Sequence, residues 1–126
     1  MMKKIAKLLA ALPGIIFLVA GLRWLAEPAM AAQMFGMTLL DGIGRSSQIG
    51  DMAAYLIGGS IMIFAGLITE KRTWLYAAAM VVALTAVFRV IAWLLHDAAL
   101  ATKMIVPEII FAALILFAAS RLPKEK

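Results

Sequence analysis

The chain contains no cysteine and only one histidine, His96. Without cysteine there is no disulfide framework, no thiol nucleophile and no thiolate metal site. A single histidine excludes a paired-imidazole metal site, and no Ser-His-Asp set can be assembled on spacing. No glycine-rich phosphate loop occurs, and no internal repeat or low-complexity tract is evident. Charge is scarce as well: 15% of the 126 residues are charged, against 65% hydrophobic, and the mean hydropathy is +1.01. A soluble domain is closer to half apolar, so this composition cannot be wrapped in a polar surface. No cofactor and no metal are expected. The net charge of +5 does not point to nucleic acid, because the basic residues flank apolar stretches instead of forming one patch.

What the chain does have is four long apolar stretches. A membrane-spanning helix needs roughly 20 mostly apolar residues, and the pattern predicts spans over residues 5–26, 51–69, 74–95 and 102–120. They stop at Glu27-Pro28, Glu70-Lys71-Arg72, His96-Asp97 and Arg121. Short second and third connections make antiparallel neighbours. The expected fold is therefore all-α: one transmembrane domain over 1–126, an integral membrane four-helix bundle in up-down-up-down order.

Lys3, Lys4, Lys7, Lys71, Arg72, Arg121, Lys124 and Lys126 fall on one side of this arrangement. Arg23, Arg45 and Lys103 fall on or near the other. The positive-inside rule then places both termini in the cytoplasm of a multi-pass protein of the bacterial inner membrane. A secretory signal peptide is the rival reading of the first stretch, with Ala29-Met30-Ala31 as a cleavage-like site. Arg23 and Glu27 are unusual so close to a cut, so the first span is expected to stay.

Between the first two spans, Pro28 suits the first turn of a new helix, and Met30, Met34 and Met37 follow at i, i+4 and i+7. A short amphipathic helix at the outer interface is expected, then a loop turning at Asp41, Gly42 and Gly44. Thioethers are soft ligands for Cu(I), but methionines on an apolar helical face ordinarily pack.

Each span carries one of four ionisable residues set toward the same side: Arg23, Asp51, Arg89 and Glu108. A charge at mid-bilayer costs about 2.5–3.5 kcal/mol on insertion scales, so such residues usually face a bundle interior or a wet cavity. Arg89 lies six residues before Leu95, about 9 Å inside at 1.5 Å per residue. Glu108 lies five residues after Lys103, about 7–8 Å inside. The topology puts all four charges in the outer half. Arg89–Glu108 is the expected deep pair and Arg23–Asp51 the shallower one. Helical spacing puts Tyr55 on the side of Asp51, and Thr85, Trp93 and His96 on the side of Arg89. Pro107 directly before Glu108 loosens the first turns of the last helix. The expected ligand-binding set is Arg23, Asp51, Tyr55, Arg89, His96 and Glu108.

The run Gly21-Leu22-Arg23-Trp24-Leu25, then Pro28, Phe35-Gly36, Gly44-Arg45 and Asp51, resembles the DoxX-like group of small bacterial four-helix membrane proteins. Arg89 and a last helix opening on Pro107-Glu108 are similar too. The resemblance covers roughly residues 10–120. It implies an integral inner-membrane four-helix fold, with links to redox or sulfur-compound complexes or to the assembly of other membrane proteins. A thiol-redox role does not suit a chain without cysteine.

The expected function is a non-catalytic membrane subunit or an assembly factor. Its partners would be the lipid bilayer, a membrane protein or a second copy, and a lipophilic ligand. The alternative is a small membrane enzyme of isomerase or cyclase type acting on a lipophilic substrate. Glu108 or Asp51 would then be the general acid or base, Arg89 the anchor of a polar group, and Tyr55 a hydrogen-bond donor. The same charges also fit ion pairs that merely lock the bundle. Transport ranks last, because the inner half offers no polar stepping stones.

Overall fold

A computed structural model of the protein describes residues 1–124, which leaves Lys126 of the basic flank outside the described residues. The described residues form five helices and no strand: α1 (Met2–Ala26), α2 (Pro28–Met34), α3 (Gly42–Thr69), α4 (Arg72–Leu95) and α5 (Thr102–Arg121). All but α2 are long and apolar enough to cross a membrane, so the chain is a multi-pass membrane protein. Their outward faces are as apolar as their inward ones. Leu12, Ile16 and Val19 on α1 stand exposed, as do Leu84, Phe88 and Ile91 on α4. A helix apolar all round belongs in lipid.

The four long helices close into a ring in which α1 and α4 each pack against both α3 and α5. Side chains at the helix ends show the alternating direction. Lys3 and Lys7, early in α1, donate to the carboxylate of Glu70 just past α3, at 2.7 and 3.0 Å. Arg72, opening α4, donates through Nε to the Leu122 carbonyl just past α5, at 2.9 Å. We call this the lower end of the bundle. The bonds from Lys3 and then Lys7 hold the Glu70 carboxyl below its usual range.

Close contact between α1 and α3 depends on glycine. A Cβ at Gly21 would stand 2.5 Å from Ile57 Cγ1, and one at Gly14 would stand 2.9 Å from the Phe64 ring. Small residues let backbones approach where the hydrophobic effect supplies no force between helices. The buried Ser60 hydroxyl uses that approach and donates to the Gly14 carbonyl at 2.8 Å.

The helix α2 begins at Pro28, as the sequence suggests, and stops in a Schellman turn. Gly36 takes φ +73°, its N–H reaches the Gln33 carbonyl, and the Met37 N–H reaches Ala32. The third helix departs from expectation: it starts at Gly42, nine residues before the predicted boundary at 51. The polar run Arg45-Ser46-Ser47-Gln48 reads as a loop, but its side chains stabilise a helix start instead. Arg45 pairs with Asp41 one turn back, at 3.1 Å, and donates to the Leu40 carbonyl. Gln48 accepts from the Leu40 N–H and donates to the Thr38 carbonyl. The preceding backbone groups are thus satisfied, and the helix extends to meet them.

Candidate functional site

At the upper end, two consecutive helices bring Arg89 and Glu108 together. Arg89 lies on the inner edge of α4 and Glu108 one residue past Pro107 on α5. The Arg89 Nε donates to Glu108 Oε1 at 2.9 Å, with 22% and 9% of the two side chains exposed. Glu108 is the one charged residue in the buried core of the described chain. Its other oxygen, Oε2, accepts a long bond from the Tyr55 hydroxyl of α3, at 3.4 Å. Thr85 stands beside that hydroxyl on α4 but donates its own proton back to the Val81 carbonyl, at 2.8 Å. Three helices therefore converge on one carboxylate.

Aromatic rings cluster at this level. Phe17 of α1 packs on Tyr55 with centroids 5.4 Å apart, and edge-on against Phe111 of α5 at 6.0 Å. Beside them lies a cavity of about 270 Å³. Its apolar wall is formed by Ile16, Phe17 and Ala20 of α1, Leu56 of α3, and Met104 and Phe111 of α5. Met34 and Phe35 fold over from the end of α2. The polar wall is Tyr55, Arg89, Glu108 and Lys103. Pro107, also on the wall, has no N–H to give the Lys103 carbonyl one turn earlier, so that acceptor loses its helical partner. A larger groove of about 420 Å³ runs between α4 and α5, but residues such as Ala83, Val87, Ile105 and Ile109 give it no group that could orient a ligand.

The sequence-derived set divides. Arg89, Tyr55 and Glu108 come together at the cavity. Arg23 does not pair with Asp51. It stays exposed and its Nη1 donates to Met34 Sδ at 3.5 Å, because α2 folds back over the end of α1. Asp51 is exposed in the third turn of α3, not at its start. It precedes Ala53 by two residues, so it lies about 200° around the helix from the buried row Ala53, Leu56, Ser60 and Ile63. Neither residue lines the cavity, and Asp51 is removed as a candidate acid or base there. His96 caps the end of α4 and is exposed, seven residues and about two turns beyond Arg89.

Lys103, Phe17 and the Met34–Phe35 corner are the site residues that sequence reasoning missed. The usable signal was Lys103 four residues before Pro107, which places a cation and a proline on one face of a helix. The methionines weighed as metal ligands keep separate partners: Met34 takes Arg23 and Met37 takes Gln48. Among the described residues no three His, Cys, Asp or Glu side chains are placed to hold a metal ion. No family model matches the chain, and neither does a curated protein or a solved structure.

Proposed function

We propose that this protein captures a lipophilic molecule with a polar head in the upper half of its bundle. One observation carries the reading: the cavity is apolar on most of its wall and meets the Arg89–Glu108–Tyr55 cluster on the remainder. A few convergent polar groups in an otherwise apolar recess are the usual composition of a small-molecule site. Arg89 and Tyr55 would orient the head, and Phe17, Leu56 and Phe111 would hold the tail.

Capture requires no turnover, so the reading accords with a non-catalytic subunit or assembly factor that uses the ligand as a structural or regulatory group. Catalysis is the second reading, favoured by Glu108 alone. Its carboxylate lines the cavity and is held by donors on two sides, which suits a general acid or base for proton shifts on a bound lipophile. The proposal keeps the orientation with both termini in the cytoplasm, on the strength of the basic lower end, and the likeness to the DoxX-like group. It also sets α2 at the outer interface.

The test is chemical. The protein is purified in a mild nonionic detergent, and bound small molecules are extracted and identified by mass spectrometry. A stoichiometric lipophile is expected from the wild type and not from Ala20→Leu, which fills the cavity. Identical extracts from both proteins would sink the proposal. Incubation of the captured molecule with fresh protein separates the two readings, since only an enzyme converts it.

A further inference from the structure

We infer that the cavity selects a single-chain amphiphile whose head carries one negative charge, a medium-chain carboxylate being the simplest case. The inference rests on the ligand-capture reading above and narrows it to one chemical class.

The charges on the wall do not balance. Arg89 and Lys103 face the space with one carboxylate, Glu108, so the lining holds one positive charge in excess. Arg89 and Glu108 satisfy each other, whereas Lys103 has no ion pair among the described residues. A neutral ligand would leave that exposed ammonium at the mouth of the recess without a charge partner. A monoanion completes the count, and a cationic head is repelled.

The donors left over suit an anion as well. Arg89 gives Glu108 only its Nε. Its two terminal nitrogens have no hydrogen-bond partner among the described residues, and they form the planar fork that grips a carboxylate by two parallel bonds. Lys103 is exposed at the rim while Arg89 is half-buried further in, so the two cations would flank a head group at the mouth. The tail would then lie against Ile16, Phe17 and Leu56. A volume of about 270 Å³ lies just below the roughly 300–1,000 Å³ of ordinary ligand pockets and fits one alkyl chain better than a two-chain phospholipid.

The experiment uses the full chain in nanodiscs of neutral phosphatidylcholine, with radiolabelled laurate as probe and unlabelled laurate or methyl laurate as competitors. Saturable laurate binding is expected, abolished by Ala20→Leu. The methyl ester should compete about tenfold more weakly, the scale of one charge-assisted hydrogen bond. Lys103→Gln, at an exposed position, should weaken laurate by about tenfold and leave the ester unchanged. An ester that competes as well as the acid, or a Lys103→Gln protein that binds laurate unchanged, would overturn the charge selection while leaving the cavity reading intact. Failure of both acid and ester to bind saturably would overturn the inference together with the reading beneath it.

Discussion

The two ends of this bundle are built from different residues. At the lower end, the buried layer is alanine-rich: Ala6, Ala10, Ala78, Ala79, Ala118 and Ala119 surround Ile63, Leu75 and Ile115. Charges there sit at the helix ends, in the Lys3–Glu70–Lys7 set and on Arg72. At the upper end, Phe17, Trp24, Tyr55 and Phe111 stand among the alanines Ala31, Ala32, Ala53 and Ala112, and an ion pair lies inside the ring. Small side chains let helices close. At the upper end the rings and the paired charge border a space. The contrast sets a closely packed lower half against an upper half that holds a cavity with a polar wall.

The largest way to break the contrast is to unpair the interior charge. Glu108→Gln removes the carboxylate and leaves the Arg89 guanidinium half-buried without its partner, so the protein should lose about 3 kcal/mol or more. Thermal melting in detergent reads this loss. The double variant Arg89→Leu with Glu108→Leu should recover most of it, because two apolar groups need no pairing. A double variant as unstable as the single one would show that the pair is not what limits stability.

Filling comes next. Ala118 is fully buried in the lower layer, and Ala118→Leu should cost about 1–3 kcal/mol through overpacking. Ala20 lines the cavity, so Ala20→Leu should leave the melting temperature unchanged or raise it. Equal losses at both positions would mean that the upper half is as tightly packed as the lower. A smaller effect belongs to Ser60→Ala, which removes the buried bond to the Gly14 carbonyl and should cost about 0.5–1.5 kcal/mol, read in the same melting assay.

The smallest effect concerns pH at the lower end. The Glu70 carboxyl is held below its ordinary value of 4.5 by Lys3 and Lys7. A depressed carboxyl contributes stability that is complete above the unfolded value and is lost as pH falls through the folded one. Melting temperature should therefore decline on acidification below about pH 4.5, and Glu70→Gln should flatten that decline. A decline of the same size in Glu70→Gln would assign it to other carboxylates.

Much of the fold was legible because a spanning helix is a matter of length and composition, which periodicity cannot hide. Pro28 announced α2 for an equally local reason. The start of α3 was not legible, because Asp41, Arg45 and Gln48 become helix-forming only through bonds back to residues 38–41, and the same letters describe a polar loop. Arg89 with Glu108 could be anticipated from depth on neighbouring helices. Arg23 with Asp51 could not be excluded from depth alone. The error lay in rotation: a boundary placed nine residues late made Asp51 a helix opener, when it is a mid-helix residue turned away from the core. The cavity was invisible because its wall is assembled from residues of α1, α3, α4 and α5 and from the Met34–Phe35 corner, a combination that only the tertiary fold brings together.

The separation of 19 residues between Arg89 and Glu108 also bears on how the protein is made. Each charge alone would burden insertion of its span, by up to about 2.5–3.5 kcal/mol on insertion scales. They lie on consecutive helices joined by residues 96–101, so the pair can form inside a helical hairpin with no help from α1 or α3. During synthesis the last two spans can leave the insertion machinery as one neutralised unit, each carrying the other's counter-ion. The first three helices need only provide the wall against which that hairpin docks.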